Sequence, residues 1–474
     1  MDEEHEPAGA PRWVLAVTAL AGLMVTLEAL VITTALSAIR TALDTSIEEL
    51  EWTVTAYVLT FAVLLMTAAA LGDRFGRRRV FIAGLALFAA ASAACALAPD
   101  VGWLIAARAV QGAGAALVMP LALALLSAAY PPPQRARALG VFTGVTGLAV
   151  AVGPLLGGAI VTGISWPWVF WINLPAAAVL IILARTRIGE SFGSRTTIDV
   201  VGLLLVTGAA LGIVWALVRG NTVGWAAVEI VAASTAGVLL AVAFVRWERR
   251  APEPMLPMGL FASRGFAAGN AGTFFLWGSA LGALFFMAQF LQTALDFGPL
   301  AAGLGLMPWG ATTFIVPQIA GALIGRFGER VFIVAGAGLH AVAMAWLALV
   351  ADPGLAYWEM IAPLVLSGTG VAMASPATQS AALSSLAAHY LGKASGAYST
   401  MRQLGGVFGV AVVVAAFAGI GGYESPHTFA TGFAAAMAAC AVLSLAGAIA
   451  GLAARDPAGT RPGSAEPRHG VRSA

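Results

Sequence analysis

Charge is scarce in this sequence: Asp, Glu, Lys and Arg make up 10% of its 474 residues, against about a quarter in a soluble domain. Lysine occurs once, as Lys393. A chain this poor in charge cannot cover a water-facing surface, which excludes an ordinary soluble protein. Its net charge of +2 is spread over short loops, so no basic patch for nucleic acid forms. Cysteine is almost as rare, and both copies, Cys95 and Cys440, fall inside apolar runs, where they read as small packing residues rather than a disulfide or a metal pair. The five histidines are scattered, which excludes a metal cluster. P-loop, HExxH, GxSxG and dinucleotide patterns are also missing, so nothing points to an enzyme or an ATP-driven pump.

What is present is apolar sequence, 60% of the chain. It is divided into about fourteen runs, at roughly 13–37, 52–71, 80–98, 102–129, 137–162, 168–184, 199–218, 226–245, 266–291, 301–325, 331–350, 357–386, 395–418 and 428–453. Each is close to the ~20 residues a membrane helix needs. The expected fold is all-α and integral to the membrane. The first run follows an acidic start (Asp2, Glu3, Glu4, Glu6) and is too long for a signal peptide, so it reads as a span. The preference for Arg over Lys, with 55 glycines, suggests a GC-rich bacterial genome.

The loops alternate in charge. Arg74, Arg77, Arg78 and Arg79 follow the second run; Arg135 and Arg137 the fourth; Arg185, Arg187 and Arg195 the sixth; Arg246, Arg249, Arg250 and Arg264 the eighth; Arg326 and Arg330 the tenth. The opposite loops carry Asp44, Glu48, Glu49, Asp100, Asp296, Asp352 and Glu424. The positive-inside rule puts both termini in the cytoplasm.

The chain also repeats itself. RFGRRRVFIAG from Arg74 returns as RFGERVFIVAG from Arg326, 252 positions later. GAGAALVMP (112–120) returns in spacing as GTGVAMASP (368–376), and Gly140 and Gly153 as Gly396 and Gly409, all 256 positions later. The matches imply two six-span halves, 13–190 and 251–454, separated by a two-span insert, 191–250, with tails at 1–12 and 455–474, the second disordered. Two such halves around a midplane site are the architecture of a secondary transporter.

Against this background, charges inside the runs stand out. Glu28, within LMVTLEALVITTAL, is flanked by apolar residues. A carboxylate in hydrocarbon is costly unless paired or hydrated, and such a group can take a proton from one side and release it to the other. Arg108 lies in the fourth run; counting about 1.5 Å per residue from the outer face, it is roughly 10 Å deep and Glu28 roughly 13 Å, so the two can meet. Either could instead be a packing group, Glu28 facing a wet cavity and Arg108 bonding backbone carbonyls. Asp73, Arg74, Gly76, Arg77 and Arg78 form a loop, LGDRFGRRR, whose acid and glycine favour a defined turn over a merely basic one. Gly147, Gly153, Pro154, Gly157 and Gly158 make the fifth run a kinkable, closely packing helix. Tyr57, Gln111, Asn270, Trp277, Phe286, Gln289 and Trp309 are candidates to line a cavity. His340 is more naturally a hydrogen-bonded packing residue.

These motifs resemble those of the major facilitator superfamily, in its fourteen-span drug:proton antiporter branch. LGDRFGRRR is similar to the loop 2–3 signature, with Ala69 in place of its leading glycine; ARAVQGAGAALVMP resembles the span-four motif through Arg108, Gln111, Gly112, Gly114 and Pro120; GLAVAVGPLLGG resembles the span-five antiporter motif; RQLGGVFGVAV from Arg402 also fits. SWPWVFWINLP departs by Pro167, where the branch has Arg, and Glu28 stands where the branch has Asp. The resemblance implies a major facilitator fold and alternating access. Glu28, with Arg108, would couple protons, Asp73 and Arg77 would latch the cytoplasmic side, and the Pro154 region would seal the halves against leak. The expected activity is proton-driven export of amphipathic small molecules, cations among them, such as drugs, dyes or antibiotics. The alternatives are a transporter of one metabolite and a receptor on a transporter scaffold. No cofactor beyond the proton motive force is expected; the partners are substrate, protons and membrane lipid, and the chain is expected to be a monomer in a bacterial plasma membrane.

Overall fold

The computed structural model describes residues 10–130, 132–192, 199–252, 254, 256–386 and 391–454. Among them every regular element is helical: α1 (Ala10–Leu43), α2 (Ile47–Phe75), α3 (Arg77–Ala96), α4 (Val101–Ala129), α5 (Pro132–Gly163), α6 (Trp168–Trp171), α7 (Asn173–Arg187), α8 (Val200–Val223), α9 (Val228–Glu248), α10 (Arg264–Thr293), α11 (Pro299–Gly305), α12 (Met307–Phe327), α13 (Glu329–Val350), α14 (Tyr357–Ser384), α15 (Leu391–Ile420) and α16 (Pro426–Gly451), with one 3-10 turn at Met258–Ala262. A helix satisfies its backbone groups within itself, which hydrocarbon demands. Short polar residues stop and start the helices at loops: Asp100 accepts from Trp103 N at 2.8 Å, Asp199 from Gly202 N at 2.7 Å, and Ser425 from Thr428 N at 3.1 Å. The expected tail 455–474 and most of 1–12 lie outside the described residues.

Twelve stretches are long and apolar enough to span a membrane, and a thirteenth if α2, bent by 52° between Glu49–Leu65 and Thr67–Phe75, counts as one. The difference from fourteen lies in α5. It is a continuous 32-residue helix, but the apolar stretch described within it is only Val152–Gly163.

The sequence repeat is a repeat of packing. In the first half α1 packs on α5, α4 and α7, α4 on α2 and α3, and α3 on α7; in the second, α10 packs on α15, α14 and α16, α14 on α12 and α13, and α13 on α16. The joints match too. Gly76 (φ 105°) separates α2 from α3 and Gly328 (φ 86°) separates α12 from α13, a conformation that glycine adopts without steric cost. Gly112 lets α4 close on α2, where an added Cβ would lie 2.3 Å from Tyr57 O; its counterpart Gly368 meets Trp309 O at 2.6 Å. Between the halves α2 packs on α15, and α5 on α11 and α12. Of the insert, α8 lies against α2 and α15, and α9 packs on α8.

Candidate functional site

The first half holds a buried polar network. Glu28 of α1 is 2% exposed and Arg108 of α4 is fully buried. Arg108 Nη1 donates to Glu28 Oε1 and to Gln111 Oε1, both at 2.6 Å, and Nε donates to the Thr53 carbonyl of α2 at 2.9 Å. The close approach of α2 and α4 at Gly112 brings that carbonyl within reach. The guanidinium lies 4.3 Å from the ring centre of Tyr57, whose hydroxyl donates to Val25 O at 3.1 Å. The second oxygen of Glu28 accepts from Asn173 Nδ2 of α7 at 2.6 Å, and Gln111 Nε2 donates to Ser92 Oγ of α3 at 2.8 Å. Five helices thus join in one polar network around the Glu28 carboxylate. The pair is neutral as a whole, and both oxygens of Glu28 are occupied. A buried pair of this kind is stable only while complete: removing one partner costs about 3–5 kcal/mol.

The halves meet at the end that carries the acidic loops. The motif of α5 supplies the close contact. Gly157 rests on Val31 O and Gly153 on Leu30, both of α1; a Cβ on Gly158 would lie 2.3 Å from Pro299 O of the other half, and one on Gly303 would lie 2.5 Å from Pro154 O. A Cβ added to Gly147 would lie 4.0 Å from the Phe314 ring of α12. Leu300 N donates to Thr162 Oγ1 at 3.2 Å and Gln292 Nε2 to Thr34 O at 3.3 Å. Arg40 stacks 3.9 Å from the ring centre of Tyr423, whose hydroxyl donates to Gln289 Oε1. Burial pushes the Tyr423 phenol above its ordinary range, with Arg40 working the other way, so it stays neutral.

At the other end the loop 73–79 is folded back on the segment 188–191, where the first half joins the insert. Asp73 pairs with Arg77 at 2.7 Å, Arg77 N donates to Ser191 O at 2.9 Å, and Arg78 N donates to Glu190 Oε1 at 2.9 Å. Arg78 also reaches Ile188 O at 2.9 Å, while Arg74 is exposed over Phe75.

Of the cavity candidates, Tyr57 and Gln111 join the Glu28 network. Asn270 is buried on α10, donating to Phe266 O at 2.8 Å, and Trp277 lies beneath Arg402 on the same helix pair, α10 and α15. Phe286 is stacked on Phe417 at 4.5 Å inside an aromatic core, and Gln289 is held by Tyr423 and by Phe285 O. Trp309 lies against Gly368. His340 packs between α13 and α14 with Nδ1 2.9 Å from Ser367 Oγ. Sequence reasoning did not pair Asn173 with Glu28; its one signal is an amide inside an apolar helix. It missed Glu190 and Ser191 as the anchors of the loop. No group of His, Cys, Asp or Glu among the described residues is arranged to hold a metal.

The model for the Major Facilitator Superfamily matches residues 15–410. The chain is 36% identical over 402 residues to the multidrug resistance protein Stp of Mycobacterium tuberculosis, covering 84% of this chain and 74% of that one. It is 33% identical to the tetracenomycin C resistance and export protein of Streptomyces glaucescens (86% and 77% covered) and 32% identical to the methylenomycin A resistance protein of Streptomyces coelicolor (86% and 87%). Among solved structures it superposes on a POT family transporter in complex with a thioalcohol-conjugated peptide, with a TM-score of 0.70 over 92% of this chain and 94% of that one at 13% identity, a likeness of fold. On the family match, the coverage and the fold together, this chain belongs to the Major Facilitator Superfamily, a family of membrane transporters rather than enzymes.

Proposed function

We propose that this protein is a proton-coupled exporter of amphipathic small molecules, working by alternating access. The observation that carries the reading is the Glu28–Arg108 pair, buried among α1, α2, α4 and α7 and completed by Asn173. A proton on Glu28 removes the counter-ion of Arg108 and leaves a cation unpaired in a medium of low dielectric. The resulting imbalance, a few kcal/mol, is of the order needed to tilt a two-state equilibrium. Names of relatives such as multidrug resistance protein and resistance and export protein support the direction and the substrate class.

In this reading residues 13–190 and 251–454 are the two six-helix bundles, α5 is the fourteenth span, and 191–250 is the inserted pair. The acidic loops face outward and both termini inward, in a bacterial plasma membrane. The contacts of Gly158, Gly303, Arg40 and Tyr423 then close the outer end, which makes this an inward-facing arrangement. The Asp73–Arg77 loop, held to its own half and to Ser191 at the start of the insert, is free to latch on the second half when the inner end closes. The chain works as a monomer.

The test uses inside-out vesicles energised with a proton gradient and a panel of lipophilic cations, neutral antibiotics and dyes. Substrate-triggered proton release in wild type and none in Glu28→Gln, at equal expression, is the expected result. Gradient-driven transport at wild-type rates by Glu28→Gln would sink the proposal.

A further inference from the structure

The second half contains an arginine that its sequence motif does not explain. Arg402 lies about a dozen residues into α15, roughly 17 Å along the helix axis, and is partly buried. Its guanidinium sits 5.0 Å from the ring centre of Trp277 on α10. Its Nε is shut off from solvent with no hydrogen-bond partner, and so is Trp277 Nε1 beside it. The neighbouring hydroxyl is already engaged: Tyr398, one turn earlier, meets Thr273 Oγ1 at 3.1 Å, Thr378 Oγ1 at 3.0 Å and Ser375 O at 3.2 Å.

Among the described residues no carboxylate answers this charge. The helices packed on α15 are α2, α8, α10, α14 and α16. Neither α8, α10 nor α16 contains an acid; the one acid of α14 is Glu359 in its first turn, and those of α2 (Glu48, Glu49, Glu51 and Asp73) lie near its two ends. A buried donor without an acceptor is costly, and an unpaired cation within a membrane bundle more so. Two such donors side by side, one of them charged, form a site short of a negatively charged oxygen. Phe274, a turn before Trp277, and Phe408, their rings 5.8 Å apart and tilted by 39°, supply an aromatic wall on the same helix pair.

We propose that Arg402 and Trp277 form the substrate-anion subsite of this transporter, and that it takes planar aromatic molecules bearing a carboxylate or phenolate. The guanidinium and the indole N–H donate to the anionic oxygen, and the aromatic body lies along Phe274 and Phe408. This rests on the exporter reading and narrows its substrate class: the acid of the first half is already neutralised by Arg108, so the uncompensated charge of this pair of helices is positive.

The test compares two dyes with one xanthene skeleton, anionic fluorescein and cationic rhodamine 123. Binding to the detergent-solubilised full-length protein is measured by equilibrium dialysis, and gradient-driven movement in proteoliposomes. Wild type is expected to bind fluorescein in preference to rhodamine 123. Arg402→Gln is expected to lower the fluorescein-to-rhodamine ratio about tenfold or more, the loss of a charge-assisted hydrogen bond. Arg402→Lys should keep part of the preference, and Trp277→Phe, which keeps the ring and loses the N–H, should lower the ratio severalfold. No binding of fluorescein by wild type, or an unchanged ratio in monodisperse Arg402→Gln, overturns the subsite. The two readings fail separately. A ratio that falls in Arg402→Gln while no gradient moves either dye refutes export and keeps the subsite. Gradient-driven rhodamine movement with the ratio unchanged does the reverse.

Discussion

Two arginines lie inside the membrane-spanning helices of opposite halves, and they are kept differently. Arg108 has a carboxylate, an amide, a backbone carbonyl and an aromatic face. Arg402 has the aromatic face alone. The halves share their packing, so the contrast is not one of fold. A Cβ added to Gly114 would lie 2.7 Å from Phe88 N, and one added to Gly370 would lie at the same distance from His340 N. Within that common frame Leu364 occupies the position of Arg108, Ser367 that of Gln111 and Thr146 that of Arg402, each 256 positions apart. One half has its charge closed into a neutral cluster, suited to storing and releasing a proton. The other leaves its charge open, suited to a ligand. In the proposed reading, duplicated architecture carries two electrostatic jobs.

The largest effects come from breaking the closed cluster. Glu28→Gln puts an amide N–H2 against either Arg108 or the Asn173 amide, two donors facing each other, and removes the titrating group; substrate-triggered proton release is expected to fall at least a hundredfold. Arg108→Leu, which copies the residue the second half has at this position, leaves Glu28 buried without its cation. It is expected to cost about 3–5 kcal/mol, read as a lowered thermal midpoint in detergent. The double variant Glu28→Gln with Arg108→Leu should recover much of that stability without recovering proton coupling. Equal destabilisation in single and double variants would mean that the cluster is held by shape rather than by charge.

A smaller effect tests whether the halves move against each other. Gly158→Val forces a side chain onto Pro299 O across the interface, where even a Cβ would lie at 2.3 Å. It is expected to open the acidic end and raise maleimide labelling of an Ala302→Cys reporter, at a position fully buried on α11 against α5, severalfold. Cys95 and Cys440 are fully buried, so background labelling is low. Unchanged labelling would mean that this contact does not govern closure.

Glu28 and Arg108 were legible in the sequence because a charge in an apolar run has nothing to hide among, and helix rise placed them at similar depth. Asn173 was not, because an uncharged amide costs little enough to occur many times in such runs. Arg402 was visible only as part of a motif: whether a cation is paired depends on acids in other helices, and only the packing shows that none is near among the described residues. The repeat gave the matching joints at Gly76 and Gly328 in advance. The anchor of the loop, Glu190, lies 112 positions from Arg78 and has no periodic relation to it. Among the described residues twelve or thirteen spans are seen against the fourteen expected: α2 is bent by 52°, and the apolar stretch described in α5 is only Val152–Gly163.

The smallest effect sharpens the comparison at the repeated loop itself. In the first half Asp73 pairs with Arg77, at side-chain exposures of 26% and 20%. In the second half, 252 positions on, Gly325 replaces the acid and Glu329 replaces Arg77. Glu329 accepts instead from Ser380 and Ser384 near the end of α14, at 2.6 and 2.9 Å. One loop is tied within itself and to 188–191; the other is tied to its neighbouring helix. A half-exposed pair contributes little to stability, so Asp73→Asn should cost under about 1 kcal/mol. If the loop is a latch that must change partners each cycle, the same substitution should slow turnover severalfold while leaving half-saturation by substrate unchanged. Glu329→Gln, at the loop without the acid–arginine pair, should lower stability by a similar small amount and leave turnover as it is. Equal slowing by both variants would remove the distinction, and the loop of the first half would then be a joint like its counterpart rather than a moving part.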